Sequence, residues 1–301
     1  VVDAGIKHGS KNSDGEADTN PTYLNDPARL QDFRATFADL RKRGQRVWIY
    51  DELGYPSASA GGRVLEGHPE FQVWAVGSRA FAPAPDGTVT VEVSHPTVEA
   101  CCAMPRRAGQ LVRAEAQDLT AQARQGRFVW KSPGTNWIVC LFERYQPDSW
   151  RRHNIPRRNV NILDRAAIQR FIELTHDKYA ETLGPRLKEV ELFFTDEPQF
   201  GATEHWGSGL PDVPAAVQWC DELPAAFKKK YGYEVSAALP ALFHSVGPKT
   251  GKYRQDFYDV QSDLVAENYF GQIQDWCHRH GVVSSGHLLL EESLLFHVMF
   301  S

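Results

Sequence analysis

The 301-residue sequence lacks several features that would place it in well-known classes of protein. No apolar run approaches the roughly 18 residues that a membrane-spanning helix needs, and no secretory signal peptide is recognisable. The five cysteines are odd in number and contain no Cys-x-x-Cys pair, which argues against a disulfide framework and a zinc site and favours buried free thiols. The net charge of −5 gives no reason to expect nucleic acid or an anionic membrane surface as a partner.

The rest of the composition is ordinary for a soluble globular protein. Hydrophobic residues make up 42% and charged residues 24%, which allows a core of normal size in one large domain or two smaller ones. The chain begins at Val1 rather than Met and ends in an apolar segment, Leu294 to Phe300. We therefore expect an internal fragment of a longer protein, so the missing signal peptide says little about localisation.

One pattern, an amphipathic helix followed by a short buried strand and an acidic pair, occurs three times. The first helix begins at Asp26-Pro27, a capping carboxylate followed by a proline at the first helical position. The predicted helices cover 26–44, 164–183 and about 254–280, and the predicted strands cover 46–50, 190–195 and 282–290. Because a helix carries the chain back each time, the strands are expected to pair in parallel. A doubly wound sheet and a barrel both fit this pattern.

Residues 71–150 do not follow this repeated helix–strand pattern. Five segments alternate polar and apolar residues as antiparallel strands do; they cover 72–81, 88–93, 111–116, 127–131 and 137–144. Turn signals rich in proline and glycine separate several of them. We therefore predict a small antiparallel β domain inserted after the loop that follows the first strand.

The three predicted strands end in acidic pairs, which are the candidates for chemistry: Asp51-Glu52, Asp196-Glu197 and Glu291-Glu292. In a parallel barrel these ends converge on the face that carries the active site. Carboxylates that lie close together raise each other's pKa, and their repulsion is unfavourable unless a function or a cation requires it. Glycoside hydrolysis requires them, because one carboxyl group must be protonated to donate to the leaving oxygen while another must be ionised.

These acidic pairs also have a structural interpretation. An acidic residue after a strand often caps the next helix, although three pairs at equivalent positions favour function. Because Glu197 precedes Pro198, we expect an extended backbone at Glu197. Strand alternation allows only one member of each pair to face inward, and the sequence does not identify which.

Other residues near the strand ends could contact a ligand. Tyr55 and Trp206 offer aromatic faces for a sugar ring, and His287 could bind a hydroxyl group or tune a carboxylate, although a buried structural histidine is the alternative. We expect no cofactor, with Ca²⁺ as the alternative at a cluster that has hard oxygens but lacks EF-hand spacing. That cluster consists of Asp3, His8, Asp14, Asp18 and Asn20.

Three sequence motifs resemble those of a known family. The segment from Trp48 to Ser57, followed by Ala60-Gly61-Gly62 and Pro69-Glu70, resembles a signature of large bacterial glycoside hydrolases. These are similar to the α-L-rhamnosidases of glycoside hydrolase family 106 and their uncharacterised relatives. The segments 194–198 and 286–292 resemble two further shared motifs, and together the motifs cover about residues 20 to 295. Ala58 departs from the family, which usually has glycine after Pro-Ser.

The resemblance implies an α/β fold, a catalytic (β/α)8 or TIM-type barrel within a longer, usually exported (periplasmic or extracellular) protein. On that interpretation this chain is a partial barrel: residues 1–70 begin it, 71–155 form the inserted β domain and 156–301 continue it. The resemblance also implies inverting hydrolysis by two glutamates, sometimes with bound calcium. The catalytic candidates that it implies are Glu197 with Glu291 or Glu292.

We therefore predict a glycosidase that cleaves O-glycosidic bonds in an oligosaccharide or polysaccharide, rhamnosidase-like in type. In this interpretation Glu291 is the general acid, Asp51 and Glu52 hold sugar hydroxyls or orient the site, and Asp196 binds the substrate. The first alternative is a non-catalytic barrel that only binds carbohydrate. The second is a metal-dependent barrel hydrolase, which needs histidine ligands at the strand ends, where only His287 is well placed.

Overall fold

The computed structural model describes residues 22–53, 55–147, 151–152, 155–156, 159–198 and 216–288, with backbone only at 151–152 and 155–156. The strands are β1 (Trp48–Tyr50), β2 (Trp74–Phe81), β3 (Thr88–Val91), β4 (Thr97–Arg107), β5 (Gln110–Leu111), β6 (Gln117–Asp118), β7 (Phe128–Lys131), β8 (Trp137–Tyr145), β9 (Arg151–Arg152), β10 (Ile155–Pro156), β11 (Leu192–Asp196), β12 (Ala216–Trp219) and β13 (Val283–His287). The α-helices are α1 (Pro27–Lys42), α2 (Thr120–Ala123), α3 (Arg165–Leu174), α4 (His176–Leu183), α5 (Leu223–Tyr231), α6 (Leu239–Phe243), α7 (Thr250–Val265) and α8 (Gln272–His280).

The chain forms two compact units. The first takes its described residues from Val1–Val73, Asp148–Phe200 and Ser262–Ser301, and the second takes its own from Trp74–Pro147 and Gly201–Gln261. None of the described helices is long and apolar enough to cross a membrane.

A three-stranded parallel sheet, in the order β1-β11-β13, organises the first unit. The predicted parallel pairing of the three strands is confirmed, and the strand ends lie in register, with Tyr50 opposite Phe194 and Asp196 opposite His287. A closed (β/α)8 barrel would need strands beyond these three and stays a prediction.

Helices α1 and α3 begin where they were predicted, and two of the predicted helical segments contain irregularities. Asp26 caps α1 as expected, since its side chain accepts a hydrogen bond from the Ala28 N–H. The predicted helix 164–183 is divided at Thr175, whose hydroxyl bonds the Phe171 carbonyl and whose φ and ψ are −121° and −77°. A π-helical turn, Ala266–Gly271, joins α7 to α8 and directs the buried Tyr269 hydroxyl to Thr195 in β11 (2.6 Å).

The second unit contains an antiparallel sheet in the order β12-β2-β8-β4-β5, with β6 also pairing with β4, and a separate pair of strands, β3 and β7. The predicted antiparallel character of the insertion therefore holds. Its core is a cluster of buried side chains from the sheet, the β3–β7 pair and α2: Val89, Val91, Val98, Cys101, Ala103, Leu119, Ala123, Val139 and Leu141.

Two strands of this sheet differ from expectation. The long strand β4 was not predicted, because its middle is buried on both faces, including Ala100 and Ala103, and therefore shows no alternation. Strand β12 pairs with β2, although residues 156–301 were assigned to the barrel domain. The predicted free thiols are confirmed: all five cysteines are free, and four are buried while Cys102 is partly exposed.

Gly286 in β13 offers a test of the sheet register. A Cβ atom at this position would lie 2.2 Å from the Thr195 carbonyl oxygen and 2.6 Å from its Cγ2. We expect Gly286→Ala to lower the free energy of unfolding by about 3 kcal/mol, as overpacking against backbone does. Urea denaturation measures this, with Gly251→Ala in α7 as control, because a Cβ there meets nothing within 4 Å. Equal stability of the two variants would contradict the register.

Candidate functional site

The ends of the three parallel strands bring together polar side chains around Asp196. The Tyr50 hydroxyl, at the end of β1, donates to Asp196 Oδ2 (3.3 Å), and His287 Nδ1, at the end of β13, lies 3.5 Å from Asp196 Oδ1. The side chains of Asp196 and His287 are 25% and 50% exposed, so a ligand has access to both. The expected convergence of Asp196 and His287 is therefore present.

Glu197 follows Asp196 and carries the second carboxylate of this face. The Tyr55 hydroxyl donates to Glu197 Oε2, and the Glu197 N–H donates to the His287 carbonyl (3.2 Å). The extended backbone expected before Pro198 is wrong, because φ at Glu197 is +41°, in the left-handed region. A non-glycine residue is held in that region only where its surroundings require it, and such residues concentrate at functional sites.

Glu52 is 5% exposed and is bound to its own loop. Its carboxylate accepts hydrogen bonds from described N–H groups and from the Ser59 hydroxyl, at 2.7 to 3.0 Å. The N–H donors belong to Leu53, Ser59, Ala60 and Gly61. Burial raises the pKa of Glu52, and these donors oppose the rise. Glu52 therefore stabilises the loop that carries Tyr55. Contact between Glu52 and a sugar stays a prediction, and the burial of Glu52 does not favour it.

Asp51 is fully buried and links this loop to strand β11. Its Oδ1 accepts from the Ser57 hydroxyl (2.6 Å), whose oxygen in turn accepts from the Asp196 N–H (2.8 Å). The Ser57 N–H also donates to the Asp196 carbonyl (2.9 Å). Burial is the main cause that raises the pKa of Asp51 to about 8. Asp51 offers no open face to a sugar, so the predicted hydroxyl contact is not favoured here either.

His176 lies beneath this face at the start of α4. Its ring is fully buried, stacks on Phe193 with centroids 4.9 Å apart and meets Trp276 edge-on. Its Nε2 is 4.0 Å from Asp51 Oδ2. Burial is the main cause that lowers the pKa of His176 to about 3, so the imidazole is neutral at ordinary pH.

Several predicted positions lie outside the described residues. These are Glu291, Glu292 and Trp206, together with the calcium-ligand candidates Asp3, His8, Asp14, Asp18 and Asn20. Within the described ranges, no group of three or more His, Cys, Asp or Glu side chains could hold a metal ion.

Tyr50, Ser57 and His176 were not among the residues predicted from the sequence. Tyr50 and Ser57 belong to the segment that carries the first family motif, which was a usable signal. His176 lies at the N-terminal end of α4, within a segment whose pattern predicts only an amphipathic helix, so nothing in the sequence pointed to its contact with Asp51.

Comparisons with known proteins give one matching family and two similar proteins. A family model described as alpha-L-rhamnosidase, glycoside hydrolase family 106, matches residues 103–288. A Formosa agariphila protein with a provisional beta-glucuronidase name is 24% identical over 179 residues, which are 56% of this chain and 14% of that protein. A solved rhamnosidase from Novosphingobium sp. PP1Y aligns at 18% identity with a TM-score of 0.40, covering 60% of this chain and 17% of the other.

Ala58 provides a test of the loop geometry. Its side chain is buried and its φ is +107°, a conformation that favours glycine. We expect Ala58→Gly to raise the free energy of unfolding by about 1 kcal/mol, because relief of backbone strain exceeds the added chain entropy. The control is Ala35→Gly on the exposed face of α1, which should lower it by about 1 kcal/mol. Destabilisation by both changes in a thermal melt would refute the strained conformation.

Proposed function

Because this chain belongs to glycoside hydrolase family 106, the alpha-L-rhamnosidases, we propose that it forms part of the catalytic centre of a glycosidase. The observation that carries the proposal is the pair of carboxylates at the end of β11, where Tyr55 and His287 contact Glu197 and Asp196. The chain spans only 14% of the Formosa relative, so the activity of the whole protein is part of the proposal.

In the proposed reaction Glu197 is one of two catalytic carboxyl groups. The Tyr55 hydroxyl donates to Glu197 Oε2, which keeps the carboxylate oriented as a hydrogen-bond acceptor, as a general base that activates water requires. The general acid is then Glu291 or Glu292, carried by the chain that follows β13. An inverting reaction needs roughly 6.5–9.5 Å between the two carboxyl groups, which leaves room for the attacking water.

Asp196 and His287 serve in this proposal as ligands of sugar hydroxyls. Both side chains are partly exposed, and each already makes a polar contact that sets its orientation. A sugar bound at this strand end would lie next to Glu197, the proposed catalytic carboxylate. The proposed substrate is an α-L-rhamnoside in an oligosaccharide or polysaccharide, because the matching family is named for that activity.

Glu197→Gln tests the proposed catalytic role in the intact protein. We expect kcat to fall by about 10³-fold, because a general acid or base is worth about 10²–10⁴-fold and the amide cannot replace it. Hydrolysis is measured on a panel of aryl glycosides that includes an α-L-rhamnoside and a β-glucuronide.

Glu173→Gln on the exposed face of α3 is the matched control, and it should leave kcat unchanged. An unchanged rate in Glu197→Gln would exclude Glu197 as a catalytic group. Binding of a glycoside without hydrolysis by the parent protein would favour a carbohydrate-binding barrel instead.

Tyr55→Phe tests the contact that orients Glu197. We expect kcat to fall by about 10- to 100-fold, since a hydrogen bond to a charged group contributes about 1.5–3 kcal/mol. The melting temperature should change little, because only one hydroxyl group is removed. Tyr258→Phe, at a tyrosine that is 40% exposed, is the control and should retain full activity. A rate loss shared by both variants would show that the effect is not specific to Glu197.

A further inference from the structure

Two buried polar atoms face each other beneath the candidate site without a hydrogen bond. Asp51 Oδ2 and His176 Nε2 lie 4.0 Å apart, both side chains are fully buried, and neither atom has a hydrogen-bond partner among the described residues. Buried polar groups almost always have hydrogen-bond partners, so a carboxyl oxygen and an imidazole nitrogen that face each other without a hydrogen bond require an explanation. The hydrogen bonds around the two side chains supply one.

The proton of the imidazole can be assigned from its neighbours. The Thr175 hydroxyl donates its single proton to the Phe171 carbonyl (2.7 Å), so its oxygen is the acceptor in the 2.9 Å contact with His176 Nδ1. His176 Nδ1 therefore carries hydrogen. Because the ring is neutral, Nε2 is a bare acceptor, and it is this acceptor that faces Asp51.

The same reasoning applies to the Asp51 carboxyl group. The Ser57 oxygen accepts from the Asp196 N–H, and its own proton goes to Asp51 Oδ1 (2.6 Å). An ionised Asp51 would then place a second bare acceptor, Oδ2, opposite His176 Nε2. A proton on Oδ2 turns this unfavourable contact into a hydrogen bond once the two atoms approach by about 1 Å.

The surroundings of Asp51 favour the uncharged form. Its interaction partners among the described residues include acidic side chains and neutral hydroxyl and thiol groups: Tyr23, Glu52, Tyr50, Ser57, Thr195, Asp196, Tyr269 and Cys277. The Ser57 and Thr195 hydroxyls oppose this tendency, because hydrogen bonds from them favour the ionised carboxylate; Thr195 also contacts the Tyr269 hydroxyl (2.6 Å). On the imidazole side, His280 is the titratable group that acts electrostatically on His176. Burial of the carboxyl group is the largest effect on Asp51, and it favours the protonated form.

We infer that Asp51 is a neutral carboxylic acid that shares its Oδ2 proton with His176 Nε2, and that this pair positions the end of β11. The pair fixes Ser57, and Ser57 makes two hydrogen bonds to the backbone of Asp196. A neutral acid supplies these contacts without adding a negative charge beneath Asp196 and Glu197. Asp51 is thus a positioning residue, a role that rests on the proposed glycosidase function, whereas its protonation does not.

Infrared difference spectroscopy of the intact protein tests the protonation directly. The spectrum of the parent minus that of Asp51→Asn at pH 6 should contain the carbonyl stretch of a protonated carboxylic acid. The matched control is Asp118→Asn, whose difference spectrum should show a carboxylate signal instead, because hydrogen bonds from Thr120 lower the pKa of Asp118. A carboxylate signal for Asp51 would overturn the inference.

The pH dependence of thermal stability provides a second readout. A carboxyl group whose pKa is higher in the folded protein stabilises it at low pH, and this contribution is lost as pH rises from about 4 to about 8. The melting temperature of the parent should therefore fall relative to that of Asp51→Asn across this range. His176 acts in the opposite direction below about pH 6.5, so the fall between about pH 6.5 and 8 is the part that reports Asp51. Parallel pH curves would contradict a neutral Asp51.

Rescue by the conservative variant tests the positioning role. Asn can donate to His176 and accept from Ser57, whereas Leu can do neither, so we expect Asp51→Asn to keep at least about tenfold more kcat than Asp51→Leu. Equal losses in both folded variants would overturn the positioning role. If the parent hydrolyses no glycoside, the proposed function fails, and the infrared and pH measurements still decide the protonation of Asp51.

Discussion

The pair of hydrogen bonds between Ser57 and the backbone of Asp196 is the constraint on which the candidate site depends. It joins the loop after β1 to the end of β11, and Asp51 holds it from below. Glu52 stabilises the same loop through N–H groups that extend to Gly61. The two acidic residues that follow β1 are therefore buried beneath the candidate site, whereas Asp196 and Glu197, at the end of β11, are partly exposed.

The different environments of these acidic residues explain how four carboxyl groups can lie at two adjacent strand ends. Each of the buried pair is stabilised by a different device: Glu52 by oriented N–H donors and Asp51 by its contacts with Ser57 and His176. The other two carboxylates, Asp196 and Glu197, remain partly accessible and receive hydroxyl donors from tyrosines. Repulsion is thus limited on the face where a glycosidase needs a charged and a neutral carboxyl group.

The sequence predicts the parallel β1-β11-β13 sheet because its signals are local, an amphipathic helix followed by a buried strand. It does not predict β4, because a strand covered on both faces loses the alternation that reveals it, as Ala100 and Ala103 illustrate. Nor does it predict that β12 pairs with β2, since that pairing depends on side chains about 140 residues apart in sequence.

The candidate site likewise combines features that local sequence signals predict with features that depend on contacts between distant residues. The acidic strand ends and the Tyr55 loop are recognisable from sequence, whereas the backbone of Glu197 is set by a hydrogen bond to the distant His287 carbonyl. The contact of His176 with Asp51 likewise arises only from packing.

A crystal structure of the intact Glu197→Gln protein with a bound α-L-rhamnoside would show whether these strand ends hold the sugar. We expect a sugar ring at the ends of β1, β11 and β13, with hydroxyl groups within hydrogen-bond distance of Asp196 and His287 and the glycosidic bond beside residue 197. A sugar bound elsewhere, without contact to the Asp196 and His287 side chains, would refute the proposed site.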